Sequence, residues 1–237
     1  RPRPKLWCRH KFLMHKILVI NPNSNDDVTA KLTTIFREYP TKKNTKVSCI
    51  SLKEGPFGIE TDDDIKYVAP LVLNEIKNKL LSFDAFIIAC YSDPGLYESV
   101  LAFSVPIYGI HETTVKYCNY EKKNFGVIAL GKDSIIRHQE YIDELSLKRF
   151  YIGEMSLDID VDEAVNGEKT MERILKASKY LIEEKHAEII ILGCAGMARY
   201  RNSLEEKLGV TVLDPVQTSV DLAIWRLQHS IEGEHYE

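Results

Sequence analysis

The chain has 237 residues, 44% hydrophobic and 28% charged, with a formal net charge of −4 and five cysteines. That is enough apolar sequence for one large or two small cores, and the weakly negative balance offers no general field for nucleic acid or an anionic membrane, so a small-molecule partner is expected. An odd number of cysteines with no CxxC pair and no Cys/His cluster excludes a disulfide framework and a structural zinc site, and fits a reducing, cytoplasmic compartment.

Residues 1–13 carry Arg1, Arg3, Arg9 and Lys11 with Pro2 and Pro4. The stretch reads as a disordered extension or an upstream translation artefact; a mitochondrial presequence is disfavoured because it is short, Ser-free and broken by proline. No run of about 18 apolar residues could cross a bilayer. From His15 onward, short Ile- and Val-rich runs alternate with segments of helical period, the pattern of βα units on a parallel sheet, and the class is α/β. Strands are predicted over 16–21, 46–50, 85–90, 106–108, 125–129, 189–193 and 210–213. A helix is predicted over 62–81, from Ile65, Val68, Ala69, Val72, Ile76 and Leu80, and a final one over 216–231 after Asp214-Pro215.

Between these elements, Gly55-Pro56-Phe57-Gly58-Ile59-Glu60 reads either as a loop closing over a cleft, with Phe57 shielding substrate, or as a plain surface turn. His111-Glu112 could bring charge to the rim or simply be solvated. His138, His186, His229 and His235 fall on polar helical or terminal stretches and suggest no metal site.

The segment Phe83-Asp-Ala-Phe-Ile-Ile-Ala-Cys90 can be laid over Ala187-Glu-Ile-Ile-Ile-Leu-Gly-Cys194, and Ile17–Ile20 over Phe125–Ile128. The chain therefore reads as two similar parallel-sheet α/β halves related by a pseudo-twofold, with a cleft between them. Ligands of open parallel sheets bind beyond the carboxyl ends of the strands, where Cys90 and Cys194 both fall. Asp93 and Pro94 can open a helix after Cys90, and a second helix follows Cys194. Such N-termini favour thiolate, so each thiol can act as base or, protonated, as acid. A single cysteine at such a place would be read as packing, but two at equivalent places of a repeat favour chemistry. Cys8, Cys49 and Cys118 lie at no strand-to-helix switch and read as packing or incidental. Asn21-Pro22-Asn23-Ser24 brings amides and a hydroxyl to the same rim, for substrate or for capping the next helix. No Walker loop, dinucleotide fingerprint, HExxH or GxSxG occurs.

Together, Ile20-Asn21-Pro22-Asn23-Ser24, Gly55-Pro56 with Ile59-Glu60, Ala89-Cys90 with Asp93-Pro94-Gly95-Leu96, Gly193-Cys194-Ala195-Gly196-Met197 and Asp214-Pro215-Val216 resemble the hydantoin and allantoin racemase family of the aspartate/glutamate racemase superfamily. The resemblance implies a cofactor-independent, metal-free racemase acting on a cyclic ureide or hydantoin, with Cys90 and Cys194 as catalytic acid and base. It further implies Asn21 and Asn23 orienting the ring and the amides of Ser92, Ala195 and Gly196 steadying the enolate. The expected halves are 14–119 with 214–231, and 120–213, in a homo-oligomer. The sequence departs from the family at Gly58, where serine is frequent, at Ala129, where threonine is common, and at His111, where a small residue is usual. A one-cysteine decarboxylase or isomerase of the same superfamily, or a non-catalytic metabolite-binding or redox-sensing protein, remains the alternative.

Overall fold

The structure is a computed structural model and describes residues 14–38 and 44–229. The reading of residues 1–13, Cys8, His235 and the predicted end of the last helix at Ile231 lie outside them. The first part of the chain runs β1 (His15–Asn21), α1 (Asp26–Glu38), β2 (Thr45–Ser51), α2 (Asp62–Lys79), β3 (Ala85–Ile88), α3 (Leu96–Ala102), β4 (Ile107–Gly109) and α4 (Ile110–Glu121). It continues with β5 (Phe125–Ala129), α5 (Lys132–Glu144), β6 (Tyr151–Ser156), α6 (Val161–Asn166), α7 (Thr170–Glu183) and β7 (Ile189–Leu192). A 3-10 turn over Ala195–Tyr200 leads into α8 (Arg201–Leu208), β8 (Thr211–Leu213) and α9 (Pro215–His229).

Two four-stranded sheets form, each wholly parallel, in the orders β2-β1-β3-β4 and β6-β5-β7-β8. β5 thus takes the place of β1, and β7 that of β3, so the repeat read from the two cysteine segments is a repeat of topology. All seven predicted strands form. The eighth, β6, escaped the reading because Tyr-Ile-Gly-Glu-Met-Ser is an edge strand, half-buried along its whole length, and lacks the continuous apolar run of a covered strand.

β1 shows why its sequence is apolar throughout. Leu18 and Ile20 pack with Val72 and Ile76 of α2 and with Phe86 and Ile88, while Ile17 and Val19 point into a second core shared with the other sheet. Residues that alternate across a strand thus meet protein on both faces. α2 opens on a capping box, in which Thr61 accepts from the Asp64 amide at 3.1 Å and Asp64 accepts from the Thr61 amide at 2.9 Å. α9 packs on α4, β3 and β1, so the last of the described helices covers the first sheet.

Asp93 departs from its expected role. The helix after Cys90 begins only at Leu96, behind Gly95 at φ 73°, and takes no side-chain cap. Asp93, itself at φ 45°, turns inward and caps α4 instead, accepting from the amides of His111 at 3.0 Å and Glu112 at 2.8 Å. α4 has no capping side chain of its own because Gly109 precedes it, and a Cβ there would lie 2.3 Å from the Asp93 carboxyl carbon. The cap comes from 18 residues upstream, where the chain has just left Cys90.

Burial pushes the Asp93 carboxyl up to about 7, against the pull of the Glu112 and His111 amides. The folded state therefore holds this proton more tightly than the unfolded chain, where a carboxyl titrates near 4. The stability it contributes is full below about pH 4 and is lost as pH rises to about 7. Asp93→Asn removes the titration and keeps an acceptor. Urea unfolding from pH 4 to 7 should show the wild type losing stability relative to this variant, and a constant difference between the two would refute the assignment.

Candidate active site

The two halves present their cysteines by the same backbone device. Beyond the end of β3, the Ala89 amide donates to the Ile20 carbonyl at 2.8 Å; beyond the end of β7, the Gly193 amide donates to the Ile128 carbonyl at 2.9 Å. Each bond holds the residue before a cysteine against the strand that starts its half. Cys90 and Cys194 leave their sheets at matching carboxyl edges and line one cavity. Cys49, in β2, and Cys118, in α4, do not reach it.

The thiols are held differently. The Cys194 Sγ caps the 3-10 turn that follows, accepting from the Gly196 amide at 3.4 Å. A Cβ on Gly196 would lie 2.8 Å from Val165 and 3.5 Å from that sulfur, so glycine lets the amide approach. Cys90 takes a hydrogen bond from the Ser92 amide. These are the amides expected to favour thiolate, yet burial outweighs them. It pushes the Cys90 thiol up to about 12, with the Cys194 and Asp93 charges adding and Arg137 opposing, and the Cys194 thiol up to about 11, with Asp214 and Glu60 adding. Both are thiols at neutral pH.

Of the expected binding residues, Asn23, Ser92, Ala195 and Gly196 line the cavity with the cysteines. Asn21 stands behind them, its amide donating to Asn23 Oδ1 at 2.7 Å, to the Asn25 carbonyl at 3.2 Å and to Thr29 Oγ1 at 3.1 Å. Asn23 Oδ1 also receives the Asn25 amide at 3.0 Å. A backbone N–H can only donate, so the Asn23 oxygen is fixed and its NH2 is the group it has to offer.

The cavity measures about 40 Å³, room for a few waters at most and far below the ~300 Å³ at which ligand pockets usually begin. The Gly55–Glu60 loop lines it through Ile59; Phe57, expected to shield the site, is 60% exposed. Two bonds pin the loop to the other half: Arg137 donates to the Glu60 carbonyl at 2.8 Å, and the Val161 amide donates to Glu60 Oε1 at 3.3 Å. Arg137 also lies 3.5 Å from Asp62. Gly58 stands beside this contact, where a Cβ would lie 2.8 Å from Glu60 Oε1.

Sequence reasoning did not find the wall made by α5. Ser134, Arg137 and His138 all line the cavity, and His138, read as lying on a polar stretch, is 3% exposed. The signal was its spacing: His138 precedes the buried Ile142 by one helical turn and so shares its inward face. His111, considered for a charged rim, is wholly buried behind the site and stacks on Tyr91 at 4.0 Å between ring centroids. Burial holds it well below the usual histidine range, hence neutral.

The sequence model of the family described as Asp/Glu/Hydantoin racemase matches residues 17–223. A hydantoin racemase of Pseudomonas sp. (strain NS671) is 32% identical over 210 residues, covering 88% of this chain and 84% of that protein. The solved allantoin racemase from Klebsiella pneumoniae superposes with a TM-score of 0.85 at 23% identity, covering 91% and 89% of the two chains. A crystal structure of arylmalonate decarboxylase superposes with a TM-score of 0.62 at 16% identity, covering 90% and 92%.

Two outcomes follow from this geometry. Thiolate absorbance near 240 nm should show no contribution from Cys90 or Cys194 at pH 8, judged by difference against Cys90→Ser and Cys194→Ser, and should grow only above about pH 9; a thiolate signal from either at pH 8 would contradict the dominance of burial. Arg137→Ala should speed amide hydrogen exchange over residues 55–61 at least severalfold, and unchanged exchange would mean that the loop is held by something else.

Proposed function

The chain belongs to the Asp/Glu/hydantoin racemase family, and on that premise we propose that it inverts the carbon next to a carbonyl in a hydantoin-type ring, a 5-substituted hydantoin or allantoin. Cys90 and Cys194 serve as the paired base and acid. The observation that carries this reading is that one thiol from each sheet lines a single cavity. The lobes are 14–119 with 214–231, and 120–213.

In one direction, a thiolate takes the proton from the ring carbon and the bonding pair moves onto the neighbouring carbonyl oxygen, giving a planar enolate. The opposite thiol then returns a proton to the other face, and the oxygen's pair re-forms the carbonyl. Nothing is consumed; the two sulfurs exchange protonation states and reset through solvent. A raised thiol pKa has two effects. It makes the rare thiolate a stronger base toward a weak carbon acid, and it leaves about one site in a thousand ionised at pH 8 when the pKa is about 11. Backbone amides at Ser92, Ala195 and Gly196, with Asn23 and behind it Asn21, supply the donors for the ring oxygens.

The raised pKa of both half-buried thiols supports this reading over redox sensing, which calls for low-pKa cysteines. Two cysteines also exceed what a one-cysteine decarboxylase or isomerase requires.

A single enantiomer of allantoin or of a 5-substituted hydantoin, incubated in deuterated water, should lose optical rotation and exchange the ring-carbon proton, faster from pH 7 to 10. Cys90→Ser and Cys194→Ser should each cut racemisation by about 10²–10⁴-fold, leaving at most exchange of one enantiomer. Retained rotation with no exchange across such rings would sink the proposal, and a full-rate single variant would sink the two-base assignment.

A further inference from the structure

His138 and Glu154 form a second pair of titratable side chains at the cavity, outside the two-thiol chemistry. His138, on α5, lines the cavity beside Cys90 and Cys194. Its Nδ1 lies 2.8 Å from Oε2 of Glu154, whose side chain, on the adjoining edge strand β6, is fully buried. Aromatic edges hold the imidazole in place: Tyr91 at 4.9 Å and 81°, and His111 at 5.2 Å and 78°. The ring therefore has one orientation, fixed from two sides.

A carboxylate can only accept, so the hydrogen on this bond belongs to Nδ1. When the imidazole is neutral its lone pair is then on Nε2, and the carboxylate sets which nitrogen accepts. With Nδ1 committed to Glu154, Nε2 is the polar atom that His138 has for the cavity. Of the other side chains there, Asn23 through its NH2 and Arg137 through its guanidinium donate, while the Ser92 and Ser134 hydroxyls can donate or accept. The donors suit carbonyl oxygens. A ring that alternates C=O with N–H also needs an acceptor in the wall, and Nε2 is of that kind.

We infer that His138 determines specificity in this site: its Nε2 accepts a hydrogen bond from a ring N–H of the substrate, and Glu154 is the positioning residue that keeps Nε2 an acceptor. The ligand class is a cyclic ureide or imide with an unsubstituted ring nitrogen. The inference rests on the racemase reading of the same cavity and adds to it which edge of the ring is recognised.

The test is calorimetric binding of unsubstituted hydantoin and its 1-methyl and 3-methyl derivatives to the full chain, which needs no turnover. The wild type should prefer hydantoin to one of the methylated rings by at least about tenfold, since a wall built to pair an N–H rejects a ring lacking it. His138→Ala should bring that ratio close to one. His138→Gln, which keeps an acceptor, should retain part of it. Glu154→Gln, equal in volume, should lower the ratio by freeing the tautomer, a change that packing alone would not produce. A ratio unchanged in His138→Ala, or a wild type that does not discriminate or binds none of the rings, overturns the inference. If His138→Ala does not fold, the Glu154→Gln and His138→Gln ratios decide. Deuterium exchange at the ring carbon reads the racemase proposal separately: selective binding without exchange defeats only that proposal, and exchange without selectivity defeats only this one.

Discussion

The placement of Cys90 depends on one buried carboxylate. Asp93 sits three residues on, its amide bonded to the Cys90 carbonyl at 3.0 Å, while its side chain satisfies two of the four amides that any helix start leaves unpaired. The same carboxyl lies 3.4 Å from the Tyr141 hydroxyl on α5. A single side chain thus ties the thiol's turn to α4 within its own half and to the wall contributed by the other. The cost is a carboxyl whose ionisation burial opposes, and the absence of a Cβ at Gly109 is what lets it fit. A helix cap drawn from the adjacent residue would have supported α4 equally well but would have left the Cys90 turn unanchored.

Set beside this, the second half solves the same problem in another way. Cys194 needs no distant anchor, because its own sulfur caps the turn that follows. The repeat is therefore exact in strand order and in the bonds of Ala89 and Gly193, but not in what surrounds the thiols. At Cys90 the negative Asp93 reinforces the rise and Arg137 opposes it, whereas at Cys194 the negative groups Asp214 and Glu60 both reinforce it. Two chemically equal groups are given unequal settings. Under a two-base mechanism the two enantiomers meet different bases, while the overall equilibrium stays at one because enantiomers are equal in free energy and a catalyst cannot change that.

Much of this was legible in the sequence wherever the local pattern and the tertiary outcome obey the same rule. Continuous apolar runs gave seven strands because buried strands have protein on both faces, and the matched cysteine segments gave the repeat because both end strands of one topology. Legibility failed where a residue's role is set by something distant in sequence. Asp93 looked like a cap for the next helix, since Asp-Pro commonly starts one, but the helix it caps begins at Ile110. β6 was missed because an edge strand with Glu154 in it has no apolar signature. Phe57 was read as a shield, but the direction of the loop puts Ile59 at the cavity and leaves Phe57 exposed. The polar residues of α5 hid His138, whose sequence signal was only its one-turn spacing from Ile142 and whose carboxylate partner lies sixteen residues away.

That last case bears on why so many polar atoms are buried in this region. Tyr91 Oη, both His111 ring nitrogens and Glu154 Oε1 make no hydrogen bond of ordinary geometry, and each such atom costs about 1–3 kcal/mol. An apolar core would be cheaper there. The arrangement becomes intelligible if the cluster is a support for the cavity wall. His111 stays neutral, so it neither competes for Glu154 nor repels His138, and its stack with Tyr91 stiffens the residue next to Cys90. Glu154 has the Tyr151 hydroxyl as a further hydrogen-bond partner and keeps Oε2 on His138 Nδ1. Rigidity of the ring at the cavity wall is thus obtained at the expense of stability in the layer behind it, where the loss can be borne without disturbing either thiol.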